Sequence, residues 1–298
     1  MTSEHRYTSP AAMRRALTDR LATAARDSRW KLPQLQRQLG YDRLLERLYR
    51  RDAGWVLKGA AALLARGIGV RATIDVDVYR AVTLDVAEDE LRTAAAIDLG
   101  DWFTFEIGPP RPAGDRGAAR RLPVTARVGA ATWASFHIDL AGADVVMTGE
   151  PDRVPALVDM AIPEVSQGGY RVYPLADHVA DKVVAMYEVH GETAMPSTRY
   201  RDLVDLVAIA KTAVISATAL VRAVRSESAR RGIDLPPRFG VPDRGLWEPG
   251  YAAEARRSLL PETTNLDEAI QVVGAFLDPV LGGSAHGRWD PAAGRWNP

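Results

Sequence analysis

The sequence predicts a mixed α/β chain of the α+β kind: a small mixed β-sheet core with an N-terminal helical lead-in and a mainly helical C-terminal half. Two observations predict it. Apolar residues recur at helical spacing up to residue 51 and again beyond Pro151, and between those limits the spacing shortens to strand-like alternation. The 298 residues are enough for two ordinary domains. The change of period divides them into 1–150, carrying the sheet behind its lead-in helices, and 151–298, mainly helical and expected to complete a cleft.

Residues 10–28 and 34–51 read as amphipathic helices, the second with Leu35, Leu39, Leu44, Leu45 and Leu48 near the helical period. WVL (55–57) reads as a short strand, KGAAALLARG (58–67) as a glycine turn into a short helix, and RATIDVDVY (71–79) as a second strand. Residues 86–96 suit a helix, and WFTFEI (102–107), LPVTARV (122–128) and WASFHIDLAG (133–142) suit strands. Between the first two of these lies PPRPAGDRGAARR (109–121), whose Pro, Gly and Arg content predicts a mobile loop. Helices follow at 177–190, 199–211, 217–231 and 265–281, the last with Asn265 as its N-cap. The Gly-, Pro- and Trp-rich tail reads as irregular, either docked by Trp289 and Trp296 or frayed.

Composition excludes several classes. With no cysteine there are no disulfides and no thiolate metal sites. The start, MTSEHRYTSP, has no apolar leader region, and no run approaches the roughly 20 apolar residues of a membrane span, so a cytoplasmic protein is expected. The five histidines lack zinc-hydrolase spacing, and neither a phosphate-binding GxxxxGK[ST] nor a GxSxG motif occurs. Net charge is zero, yet residues 1–51 carry 12 Lys plus Arg against 5 Asp plus Glu, and Arg222, Arg225, Arg230 and Arg231 cluster later. Such patches steer polyanions, RNA among them, or simply solvate a helix face; charge alone favours the second reading.

The chemistry concentrates in the second strand. Asp75 and Asp77 share one face of RATIDVDVY, opposite Ile74, Val76 and Val78. Aspartate is disfavoured in strands, and two side by side repel, so a positive object between them is the natural explanation. Carboxylates about 7 Å apart on a strand can converge on Mg²⁺, which keeps waters and substrate phosphates in its shell. Upstream, Gly59 lies between an apolar strand and a helix, where a backbone can approach a phosphate closely. Downstream, Asp139 alternates away from Phe136, Ile138 and Leu140, so a neighbouring strand can bring it beside the pair. It would then ligate a metal or accept a proton. A solvated acidic strand and an ordinary turn are the structural alternatives.

Three stretches, LLERLYRRDAGWVLKGAAALLARGIGVRATIDVDVY, YPLADHVADKVVAMYEV and RYRDLVDL, together resemble the AbiEii toxin family, with its MenT members, within the DNA polymerase β-like nucleotidyltransferase superfamily. The likeness covers roughly residues 40–210. It implies a nucleotidyltransferase core in which Lys58, Gly59, Arg71 and Thr73 serve the nucleotide and Asp75, Asp77 and Asp139 hold metal. Gly59, Asp75 and Asp77 match the first motif, but Ala60 and Ala61 stand where a small hydroxyl residue is usual. Asp181 and Lys182 match the second motif, with Lys182 on the triphosphate. Arg201, Asp202 and Asp205 match the third, Asp202 being the functional acid.

Read without the resemblance, Lys182 either projects from a packed helix toward a cleft or forms a Lys–Asp pair tying two helices together. The resemblance further implies an NTP substrate, Mg²⁺ as two ions, a tRNA 3′ end as acceptor, and a separately encoded antitoxin. Transfer to a protein or a small molecule, and a non-catalytic RNA- or partner-binding role, are the alternatives, since fold does not choose an acceptor.

Overall fold

Helix formation at the start of the chain follows from capping and spacing. In the computed structural model, which describes residues 7–52, 54–69, 71–113, 119–143, 145–158, 167–191, 195–259, 263 and 265–298, Ser9 caps α1 (Pro10–Arg26) by accepting from the Ala12 amide at 3.2 Å. Helix α2 (Leu32–Arg51) starts with Gln34 reaching back to the Lys31 amide at 2.8 Å, and all five leucines of its predicted stripe are buried. The chain divides into two units: Met1–Arg66, Thr73–Val146 and Asp152–Val172 form the first, and Gly67–Ala72, Met147–Pro151 and Tyr173–Pro298 the second.

The first unit continues with β1 (Val56–Lys58), α3 (Gly59–Ala65), β2 (Asp75–Tyr79), α4 (Leu84–Ala95), β3 (Phe103–Ile107), β4 (Arg111–Ala113), β5 (Ala119–Val128), β6 (Ala131–Ala141), β7 (Asp152–Val154) and β8 (Tyr170–Val172). One mixed sheet results, in the order β3-β5-β6-β2-β1-β8-β7, with β4 also paired to β5. Strand β2 runs antiparallel to β1 and parallel to β6, and β1 runs parallel to β8. Val76, Val78, Leu122, Ile138 and Leu140 are buried in a core completed by apolar residues of α1, α2 and α4. The alternation predicted for the strands is therefore what covers this face of the sheet.

Several expectations need correction. Residues 71–74 are not strand, and Ile74 is 51% exposed instead of joining Val76 and Val78. The predicted loop 109–121 contains β4 and the first residues of β5; its middle, 114–118, lies outside the described residues. Strands β7 and β8, although beyond residue 151, belong to the first unit.

The basic lead-in is also less available than its composition suggests. Arg43 and Arg47 of α2 are buried on Asp101, with Arg43 Nε and Arg47 Nη2 each donating to it at 2.7 Å. Arg47 also donates to the carbonyls of Arg43, Ile97 and Phe103. This fork clamps the turn entering β3, where Trp102 holds a left-handed φ of 57°. Such a conformation costs about 1–3 kcal/mol and persists only where the surroundings enforce it.

The second unit comprises α5 (Leu175–Met186), β9 (Val189–His190), β10 (Met195–Pro196), α6 (Tyr200–Thr212), α7 (Ala217–Arg231), α8 (Arg244–Arg257), α9 (Leu266–Leu281), β11 (Arg288–Asp290) and β12 (Arg295–Asn297). Asn265 caps α9 as predicted, accepting from Glu268 N at 2.8 Å. The tail is a β11–β12 hairpin instead of an irregular segment. Trp289 is buried and donates to Ala210 O, while Trp296 stacks on Phe276 with centroids 5.8 Å apart. Of the second arginine cluster, Arg230 and Arg231 are engaged by Glu227, and Arg231 also by Glu188. Among the described residues no helix is long and apolar enough to cross a membrane.

Removing the acid from the α2 clamp leaves two buried guanidinium groups without their counter-charge. Asp101→Asn is therefore expected to destabilise the fold by about 3–5 kcal/mol, read as a lower urea midpoint at unchanged slope.

Candidate active site

Because strand side chains alternate, the valines that bury one face of β2 leave Asp75 and Asp77 on the other. The register carries that face across the sheet. Asp77 lies opposite Lys58 on β1 and opposite Asp139 on β6, Asp139 lies opposite Arg121 on β5, and Asp75 lies opposite His137. The three carboxylates singled out in the sequence thus share neighbouring positions on one face. Arg121, absent from that reading, joins them. Its Nε and Nη2 donate to the two oxygens of Asp139 at 2.8 and 2.6 Å, and Nη2 is 3.6 Å from Asp75 Oδ1. The hydrogen bonds it donates to Asp139, with the added attraction of Asp75 and Asp77, hold the Arg121 guanidinium above its ordinary pKa.

Gly59 explains itself here. Its φ of 60° is left-handed, and a side-chain carbon at this position would overlap the Asp77 carboxylate. The helix it begins, α3, is only 7 residues long. Entry into β2 is fixed by Thr73, whose hydroxyl donates to Asp75 O at 2.9 Å and accepts from Asp75 N at 3.1 Å. Tyr41 of α2 donates to Thr73 O at 2.8 Å, and burial raises its phenol pKa, so it remains a donor. The Thr73 hydroxyl is thus engaged with the backbone of the strand it precedes.

The second unit holds a separate charged cluster. Asp202 and Asp205 stand three apart on α6, hence on one face, toward Lys182 of α5. Lys182 Nζ donates to Asp202 Oδ1 and to Asp205 Oδ2, each at 2.7 Å, and all three residues are buried. Of the two sequence alternatives for Lys182, the helix-tying pair is present, and it is buried instead of solvated. Arg71 forks onto Asp205 at 2.9 and 2.8 Å. Burial opposes the charge of Asp205, but Lys182 and Arg71 outweigh it and hold the carboxyl below its ordinary range. Burial likewise opposes the charge of Lys182, and Asp202 with Asp205 outweigh it, keeping the ammonium above its ordinary value. Arg201 faces outward, 3.2 Å from Glu254, and Asp181 lies 3.8 Å from Arg231.

One residue, Arg121, and one contact, that of Arg71 with Asp205, escaped sequence reading. Arg121 sat in a stretch read as loop; extending the alternation of β5 backward by one residue pair from Pro123 would have placed it on the acidic face. Asp205 carried a signal in its three-residue spacing from Asp202, but nothing local points to Arg71.

The acidic face suits a hard divalent cation. Its donors are carboxylate oxygens, and Asp75 Oδ1 is buried and accepts no hydrogen bond. Among the described residues, however, no three His, Asp or Glu side chains are gathered closely enough to hold a metal by themselves. Asp75 and Asp77 could each lend an oxygen to such an ion, while both oxygens of Asp139 accept from Arg121.

Residues 43–286 match the family described as nucleotidyl transferase AbiEii toxin, type IV TA system. The fold is similar to that of MenT4, a nucleotidyltransferase toxin from Mycobacterium tuberculosis H37Rv, at a TM-score of 0.52 and 17% identity over 90% of this chain and 98% of that one. JHP933 from Helicobacter pylori is similar at a TM-score of 0.47 and 16% identity, over 83% of this chain and 93% of that one. No curated protein matches the chain in sequence.

Two outcomes are expected from these contacts. Gly59→Ala adds the left-handed strain of about 1–2 kcal/mol and the overlap with Asp77, and the loss in thermal stability should shrink when Asp77→Ala is present as well. Asp205, whose carboxyl pKa is depressed in the fold, adds stability above the unfolded value near 4, and this is lost as pH falls through the folded value. Melts of wild type and Asp205→Asn should therefore differ most near neutrality and converge in strong acid.

Proposed function

We propose that this chain, which belongs to the AbiEii family of nucleotidyltransferase toxins of type IV toxin–antitoxin systems, transfers a nucleoside monophosphate from an NTP to the 3′ end of a tRNA and so blocks aminoacylation. Family membership makes it a nucleotidyltransferase and implies an antitoxin partner; the family generally uses an NTP and a divalent metal. The tRNA acceptor, magnesium as that metal, and work in the cytoplasm are our reading. The observation that supports it most is the row across the sheet in which Asp77 neighbours Asp139 while Asp75 stands on the same face.

In this reading Asp75 and Asp77 supply the oxygen ligands, and Asp139 is a third ligand or the acceptor of the attacking proton. Magnesium bound there, as one ion or two, would offset phosphate charge and polarise the α-phosphoryl group. Gly59 leaves the β1–α3 turn open to a phosphate, with Lys58 beside it as a counter-charge, and Thr73 orients the strand that carries the acids. The 3′-hydroxyl oxygen bonds to the α-phosphorus, the bond to the β-phosphate oxygen breaks, and pyrophosphate departs with that electron pair. The hydroxyl proton passes to Asp139 or to water. We extend the proposal to Lys182 and Asp202 of the second unit as residues on which transfer depends, with Arg71 acting through Asp205.

The test incubates the protein with total tRNA, Mg²⁺ and each α-³²P-labelled NTP separately. Label is expected on tRNA-sized RNA with the wild type, reduced by roughly a hundredfold to a thousandfold in Asp75→Ala and Lys182→Ala. Label on protein or on a small molecule instead would move the acceptor to those classes. No label with any NTP would leave the tRNA reading without support.

A further inference from the structure

We propose that the Arg121 guanidinium and a divalent cation are alternative occupants of the acidic face, and that Arg121, on giving up Asp139, turns its fork to a phosphate of the incoming nucleotide. Arg121 is then a positioning residue that decides when Asp139 is available. This rests on the reading of Asp75 and Asp77 as the metal pair.

The geometry carries the argument. A single atom, Arg121 Nη2, lies 2.6 Å from Asp139 Oδ2 and 3.6 Å from Asp75 Oδ1. It therefore bridges the carboxylates of two strands. Its contact with Asp139 is a two-bond fork, whereas its contact with Asp75 is electrostatic only, since Asp75 Oδ1 accepts no hydrogen bond. A cation held by Asp75 and Asp77 would sit about 2.0–2.1 Å from their oxygens. On Asp75 Oδ1 it would lie within about 6 Å of Nη2, where two positive groups repel. Both cannot keep these positions.

Solvent access decides which one yields. The Arg121 side chain is 43% exposed and that of Asp139 18%, so water can reach the pair and take the place of the guanidinium when it moves. The cation has two charges and two carboxylates, and Arg121 has a long stem on which to move. A guanidinium matches a phosphate by the same planar fork with which it matches a carboxylate. Removing its charge should therefore strengthen metal binding and weaken nucleotide binding. A merely structural arginine would not move the two in opposite directions.

The experiment titrates Mn²⁺ by electron paramagnetic resonance without nucleotide, using the whole chain as wild type, Arg121→Met, Arg121→Lys and Asp75→Asn. A second titration measures affinity for the four α,β-methylene NTP analogues. Arg121→Met is expected to bind Mn²⁺ roughly threefold to tenfold more tightly and at least one analogue roughly tenfold more weakly than wild type. Arg121→Lys, which keeps the charge and loses the fork, should bind Mn²⁺ like wild type and the analogue weakly. Unchanged or weaker Mn²⁺ binding by a folded Arg121→Met, or unchanged analogue binding, overturns the proposal while leaving the metal pair intact. Wild-type Mn²⁺ binding that survives Asp75→Asn, or none at all, overturns the metal pair and this inference together.

Discussion

The first unit is organised around one electrostatic liability, two like charges on the same face of a central strand. Carboxylates about 7 Å apart repel by about 2 kcal/mol at an effective dielectric constant near 20. Burying a valine side chain contributes about 1.5–3 kcal/mol. Val76 and Val78, both buried under the helical layer, thus outweigh the repulsion between Asp75 and Asp77 on the opposite face. Pairing on both edges with β1 and β6 holds the strand in register. Arg121 offsets the charge of the neighbouring acid on β6.

Helix α2 is what the rest of this unit leans on. Its leucines fill the core, Tyr41 fixes the entry to β2, and Arg43 with Arg47 clamps the turn before β3. Asp42 accepts from the Leu157 and Val158 amides, each at 2.9 Å, and from the Tyr170 hydroxyl, while Glu46 accepts from Gly168 N. Burial pushes the Asp42 carboxyl up to about 7, against the pull of those amides. The polar residues that make α2 look like a solvated or RNA-facing helix in sequence are spent inside the fold. What a charge census counts as surface is here internal wiring between a helix and the loops around the sheet.

The parts that local pattern determines were legible. Helical period marked α1, α2, α5, α6, α7 and α9, and alternation marked β3, β5 and β6, together with the two aspartates of β2. Elements of two or three residues, such as β4, β7, β8 and the β9–β10 pair, have no period to read; only distant partners make them strands. Helix α8 was hidden by Pro249 and its glycines, although Trp247 and Tyr251, four apart, are both buried. The same division holds for charge. Spacing revealed Asp75 with Asp77, and the family resemblance supplied Asp202 with Asp205, but the arginines that meet Asp139 and Asp205 arrive from 18 and 134 residues away. The resemblance to a known family supplied Lys182, which side-chain pattern alone left undecided.

The parallel join between β1 and β8 has a consequence for the living cell. Leu57 finds Val172 about 115 residues later in the chain, and β2 waits about 60 residues for β6. A ribosome adding about 5–20 residues per second takes on the order of ten seconds to cover the longer gap. For about the first half of that interval β2 lacks β6, one of the two strands that align its acids. Parallel pairing over such distances is also among the slower steps in folding. A chain built this way cannot complete the acidic row of its sheet until β6 has been made, and the delay belongs to its topology.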